Sequence, residues 1–171
     1  MRKILLLIGV LFVALANAAT PPEAVTLFQE KQYQKAFPLF LSQAEKGDVR
    51  SQSYLARIYV NGLGTKQNFD EALFWATKAA AKNDATSQGI MGYLYLNGYG
   101  GLVKDNVKAM SYYRKAADQD NAVAIDRYSQ IVLQGHTKKG LDEIEAALIK
   151  DKSVSSSLVL MKLYGNGKYK P

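Results

Sequence analysis

One histidine, His136, and no cysteine are all that this 171-residue chain offers as imidazole or thiolate metal ligands or as a thiol nucleophile. Zinc needs three or four converging ligands, so a site built on His136 would have to draw the rest from carboxylates. His136 lies between Gly135 and Thr137, the setting of a solvent-exposed loop histidine. Asp142, Glu143 and Glu145 bring three carboxylates close together in sequence. They fall where a helix is predicted to begin; the helix dipole favours acidic residues there, and nothing marks a raised pKa. Gly98-Tyr99-Gly100-Gly101 has the composition of a phosphate cradle, but such a loop follows a strand and opens onto a helix. This one follows a helical pattern, and an equivalent Gly62/Gly64 turn occurs earlier in the chain. The reading is of a chain with no catalytic residues, no metal site and no cofactor, whose function is binding.

The elements that would position a binding surface are written twice. Residues 49–80 read VRSQSYLARIYVNGLGTKQNFDEALFWATKAA, and residues 85–117 read ATSQGIMGYLYLNGYGGLVKDNVKAMSYYRKAA. Tyr59 matches Tyr95, Gly62 matches Gly98 and Gly64 matches Gly100, each 36 residues apart. One extra residue in the second loop shifts the spacing to 37, so that Ala72 matches Ala109 and Ala80 matches Ala117. A period of this size, holding two helical patterns and a glycine-rich turn, marks a helical solenoid.

In chain order, Thr20-Pro21-Pro22 leads into a short helix over 23–32, with Ala24, Leu27 and Phe28 on one side. Tyr33, Ala36, Phe37, Phe40 and Ala44 form the stripe of a second helix that ends at Gly47, with a local kink expected at Pro38. Residues 49–60 form the first helix of the clear repeat, closed by the turn at Gly62, where a left-handed backbone is expected. Asn68 or Asp70 caps the next helix, whose Phe69, Ala72, Leu73, Trp75, Ala76 and Ala79 face inward. Asn83 closes that unit in the place of a glycine. The next unit repeats the logic, with Asp105 or Asn106 as cap. A third copy starts at Ala122, its turn falling at Gly135, and a shorter helix follows over 141–149. The predicted units are 23–48, 49–84, 85–121 and 122–152, with a degenerate cap over 153–171 in which Ser155, Ser156 and Ser157 are expected to face water.

Residues 1–19 read as an export signal: Met1-Arg2-Lys3 is basic, 4–15 is almost unbroken apolar, and Ala16-Asn17-Ala18 supplies small residues for cleavage after Ala18 or Ala19. The apolar run is short for a membrane span. The mature chain, residues 20–171, is then expected in the periplasm or secreted, as one repeat domain without disulfides. Losing Arg2 and Lys3 lowers the formal charge from +7 to about +5, which favours acidic partners and offers no clustered lysines for nucleic acid.

The turn and helix motifs together resemble Sel1-like repeats, relatives of the tetratricopeptide repeats. The resemblance rests on Leu55-Ala56, Tyr59, Gly62 and Gly64, then Asp70, Ala72, Trp75 and Lys78-Ala79-Ala80. In the second unit it rests on Met91-Gly92, Tyr95, Gly98 and Gly100, then Asp105, Lys108-Ala109, Tyr112-Tyr113 and Lys115-Ala116-Ala117. The units over 23–48 and 122–150 match in part. What the resemblance implies is an all-α, right-handed α/α superhelical solenoid of antiparallel helix pairs that serves as a protein-binding scaffold. Cysteine-rich members of the family are linked to lactam binding or hydrolysis, a branch from which this cysteine-free chain departs.

First-helix positions that point away from the partner helix supply the candidate binding residues. They are Tyr54 and Arg57, with Arg50 beside them, then Ile90 and Tyr93, then Arg127 with Gln130. First helices line the concave side of stacked pairs, so Tyr54, Arg57, Ile90, Tyr93 and Arg127 are expected to form one stripe of hot-spot composition. The predicted function is an exported adaptor or inhibitor that binds another protein, the candidate partners being an effector or an envelope enzyme. One alternative is an immunity protein neutralising a secreted antibacterial effector such as a phospholipase. Another is an envelope enzyme, for which no residues stand out.

Overall fold

Local hydrogen-bond chemistry sets the repeat before any long-range packing is considered. The computed structural model describes residues 20–133, 145, 146 and 148–165. The N-terminal 1–19, His136, Gly135, Asp142, Glu143 and the last residues, 166–171, lie outside them. Each clear repeat opens on an aspartate whose carboxylate caps a helix three residues on. Asp48 accepts from the Ser51 amide at 2.7 Å and Asp84 from the Ser87 amide at 2.7 Å. The residue before each cap takes a left-handed backbone: Gly47 at φ 94°, Asn83 at φ 64° and, at the next unit, Asp120 at φ 61°. Asparagine and aspartate tolerate that conformation because their short polar side chains bond locally.

The first helix of each repeat ends on a glycine with positive φ, Gly62 at 63° and Gly98 at 70°. Just before them, the Asn61 side-chain amide donates to the Arg57 carbonyl and that of Asn97 to the Tyr93 carbonyl, each at 2.8 Å. The turn then returns on itself, the Asn68 amide donating to the Tyr59 carbonyl at 3.0 Å and the Asp105 amide to the Tyr95 carbonyl at 2.9 Å. Asn68 and Asp105 themselves cap the following helices. Of the two cap candidates at each position, the earlier one takes the role, because its extended backbone lets the side chain reach the free amides of the first turn.

The described residues fall into two compact units, divided between Lys82 and Asn83. Each has the all-α, paired-helix architecture of a helical solenoid, and no strand occurs among the described residues. The first unit holds α1 (Pro22–Gln29), α2 (Tyr33–Glu45), α3 (Val49–Asn61) and α4 (Phe69–Ala80), each packed on the next. Pro22 occupies the first turn of α1, and Pro38 lies inside α2, which continues to Glu45. Alanines at 24, 36, 44, 56, 72, 76 and 79 are buried and let the helices approach closely. Phe28, Phe40, Leu55, Ile58 and Trp75 fill the space between them. Full burial of one such large side chain contributes about 1.5–3 kcal/mol.

The second unit holds α5 (Ala85–Asn97), α6 (Asn106–Ala117), α7 (Ala122–Leu133) and α8 (Val154–Gly165), with helical residues at 145, 146 and 148–151 before α8. Tyr113, Tyr128, Leu148 and Val159 are buried among Ala109, Ala116, Ala117 and Ala124. The α8 helix packs on α7 and α6, and here one sequence expectation is corrected. Ser155 and Ser156 are buried, not turned to water, and only Ser157 is exposed. The reason is a polar network that satisfies them. The Ser155 backbone amide donates to Asp118 at 2.9 Å and its hydroxyl pairs with that of Ser153 at 3.1 Å, while the Ser156 hydroxyl donates to Asp151 and the Ser153 hydroxyl lies 2.9 Å from the same carboxylate. Arg114 on α6 closes the network with two bonds to the Asp151 carboxylate, 2.8 and 2.6 Å. Small hydroxyls survive burial once such partners exist.

Candidate protein interface

In the first unit, Tyr54 on α3 stacks flat on Phe40 from α2, ring centroids 4.4 Å apart and planes at 11°. It also meets Phe28 from α1 edge-on at 4.9 Å. Tyr54 is partly buried and keeps some exposure to solvent. Arg57, one turn later, is exposed. Its guanidinium carbon lies 4.9 Å from the Phe28 centroid and 5.7 Å from that of Tyr54. Arg50 covers the same tyrosine ring from one turn earlier, at 5.9 Å. The structure thus brings Tyr54 and Arg57 together, as their helical spacing requires, and adds Phe28 beneath them. Phe28 belongs to the weakly matching first unit of the sequence, where no repeat position pointed to it.

The second unit treats its three candidates differently. Ile90 takes the repeat position of Tyr54 yet is buried, 9% exposed, so its expected outward place in the stripe is corrected. The shorter isoleucine stops below the surface that the tyrosine ring reaches at the matching site. Tyr93, in the place of Arg57, is half-buried with its ring 5.7 Å from that of Tyr99. Burial raises its phenol pKa first, the Tyr99 hydroxyl adds to the rise, and the nearby positive charge of Arg127 opposes it. Arg127 is exposed and donates to the Gln130 side chain at 3.2 Å. The same arginine also opposes the rise at Tyr113, whose pKa burial pushes up to about 12. The charge of Arg127 therefore bears on both Tyr93 and Tyr113 in this unit. Tyr99 is a contributor that the sequence reading left in the turn.

The remaining chemistry-bearing groups are bound to structural tasks. Asp48, Asp84 and Asp105 cap helices; the Lys108 amide on its carboxylate holds Asp105 below the usual range. Lys162 on Asp126, at 2.5 Å, lowers the latter's pKa as well. The hydroxyls of Ser156 and Ser153 depress Asp151 ahead of Arg114. Glu145 accepts from the Tyr164 hydroxyl, a bond that raises the tyrosine's pKa. In the Gly98 turn, the amides of Gly98 and Tyr99 both donate to the Leu94 carbonyl, so neither points at a phosphate. Among the described residues no three His, Asp or Glu side chains converge on a metal position. No helix among them is long and apolar enough to cross a membrane.

Paired helices with a glycine turn every 36 or 37 residues define a helical-repeat protein. Residues 49–84 and 85–121 each match the Sel1 repeat. The fold is that of the Sel1-like, tetratricopeptide-like repeat family. It is similar to a Sel1 repeat protein from Oxalobacter formigenes, 28% identical with a TM-score of 0.59, over 71% of this chain and 52% of that one. It is also similar to a protective antigen present in uropathogenic Escherichia coli strains, which displays an SLR fold, at 28% identity and a TM-score of 0.59. That likeness covers 68% of this chain and 26% of the antigen. The chain thus spans about half of the first relative and about a quarter of the second. No curated protein matches the sequence.

Proposed function

We propose that this chain is a protein-binding repeat protein, exported by residues 1–19 to the periplasm, where it acts as an adaptor or inhibitor of another envelope protein. The observation that carries the reading is the placement of Arg50 and Arg57 over the partly exposed Tyr54 ring, on a helix whose apolar side is already used by the fold. Tyrosine and arginine give much contact area and directed hydrogen bonds for little ordering cost, which is the composition of a protein hot spot. The basic, apolar, small-residue order of residues 1–19 supports export.

The test is affinity capture of the tagged protein from the periplasm, identification of any stoichiometric partner, and calorimetry with that partner purified. Truncating Arg57 and Tyr93 together to alanine is expected to weaken binding by about 2–4 kcal/mol with the fold retained. Neutralising Lys168 and Lys170 is expected to leave affinity unchanged. Full affinity in the Arg57/Tyr93 variant, or a loss confined to the tail-lysine variant, refutes the assignment. Recovery of an antibacterial effector as partner would turn the adaptor reading into an immunity one, and gene neighbourhood would corroborate it.

A further inference from the structure

Resting on the protein-binding reading, we propose that the Arg50–Tyr54–Arg57 face of the first unit is a carboxylate-recognition site that takes an acidic segment of a partner protein. Arg114 is held by Asp151 and Asp118, Lys162 by Asp126, Lys108 by Asp105, and Arg127 rests on Gln130. Arg50 and Arg57, like several lysines, have no carboxylate within ion-pair distance among the described residues, and they are the two exposed arginines that share one aromatic ring. The neighbouring acids are occupied elsewhere. Asp48 caps α3 and accepts from the Thr20 hydroxyl at 2.6 Å, and Glu30 accepts from the Gln32 amide at 2.8 Å.

The rings beneath the two arginines change what their charge can do. Both guanidinium carbons lie within reach of one tyrosine ring, at 5.9 and 5.7 Å, and Arg57 also covers Phe28 at 4.9 Å. Contact with aromatic faces attracts the cation and limits its rotamers before a ligand arrives, so less side-chain freedom is lost on binding. The N–H donors not turned to the rings remain available for the paired oxygens of a carboxylate. Between the two cations, the open part of Tyr54 offers apolar contact to the stem of the ligand.

Charge density selects among anionic partners. Lipid recognition by polybasic segments uses clusters of about four to eight Lys or Arg, and nucleic-acid binding neutralises a series of phosphates. This face presents two cations over one ring, which suits a short run of Asp or Glu on a protein and falls short of a membrane or a duplex.

The probe is a fluorescein-labelled oligoglutamate peptide, with oligoglutamine of the same length as control, read by anisotropy against the purified protein. Oligoglutamate is expected to bind and oligoglutamine not to. The paired substitution Arg50→Gln/Arg57→Gln should weaken binding by about tenfold or more. Arg50→Lys/Arg57→Lys should recover only part of it, because lysine keeps the charge and loses the fork. Lys31→Gln/Lys35→Gln, in the same unit, should change nothing. Unchanged affinity in the Arg→Gln variant, an equal loss in the lysine variant, or binding of phosphatidylglycerol vesicles in preference to the peptide overturns the proposal. If the variants fold poorly, the Nε–H resonances of Arg50 and Arg57 in the unsubstituted protein decide it. Shifts at both on peptide addition support the site, and shifts confined to other arginines refute it. A captured natural partner bound equally well by the Arg→Gln variant overturns this site and leaves the protein-binding reading standing. Absence of any natural partner alongside intact, arginine-dependent peptide binding does the reverse.

Discussion

Gly92→Ala is expected to change sign with its neighbour. Gly92 lies inside α5, where a Cβ would come within 2.9 Å of two ring carbons of Tyr113 and 3.0 Å of a third. Those are atoms of the ring body, in a side chain only 2% exposed, so the clash is not relieved by swinging a free end aside. Overpacking of this kind costs about 1–3 kcal/mol. Against it stands the better helix propensity of alanine, about 1 kcal/mol over glycine. The expected net is a destabilisation of about 1 kcal/mol, a fall in Tm of about 2–4 °C for a chain of this size. The repeat supplies the internal comparison. One period earlier the corresponding residues are Ala56 and Ala76, both fully buried, so the small residue opposite a ring becomes two alanines. In a Tyr113→Ala background the obstruction is gone, and Gly92→Ala should stabilise by about 1 kcal/mol through propensity alone. Tyr113→Phe, which keeps the ring, should preserve the destabilisation. Urea unfolding followed by circular dichroism gives all six free energies, and the coupling of about 2 kcal/mol lies well above its error. Stabilisation of the same size in the unsubstituted and the Tyr113→Ala backgrounds would refute the close-approach argument.

Valine at Gly62 or Gly98 should destabilise by about 1–2 kcal/mol, since both take left-handed backbone and a Cβ would press on Gln67 N at 3.1 Å or Leu102 O at 3.2 Å; unchanged thermal unfolding of both variants would contradict the turn geometry. Asp151 has its pKa lowered from 3.8, so the stability it contributes is present above that value and is lost as pH falls through the lower folded-state pKa. The gap in Tm between the unsubstituted protein and Asp151→Asn should therefore narrow under acid, and a gap constant from neutral pH downward would contradict it.

The sequence by itself determined the features whose partners lie within one repeat. Caps narrowed to Asn68 or Asp70 and to Asp105 or Asn106, left-handed residues at Gly62, Asn83 and Gly98, and helix pairs every 36 or 37 residues were legible because each depends on amides and carbonyls a few positions away. The joint position of Tyr54 and Arg57 was legible for the same reason, as residues three apart share a helix face. Tertiary structure decided how far each side chain emerges and what lies beneath it. Tyr54 is stacked on Phe40 of α2 and met edge-on by Phe28 of α1, and Phe28 became part of the face only through that packing. Ile90 has the same repeat position and disappears from the surface, because periodicity fixes a direction while side-chain length and the depth of neighbouring helices fix exposure. Ser155 and Ser156 read as water-facing by polarity, yet the Ser153 hydroxyl pairs with that of Ser155 and Asp151 accepts from that of Ser156 inside the fold. A polar residue is buried wherever a protein partner replaces its water, and only the folded chain says whether that partner stands within reach.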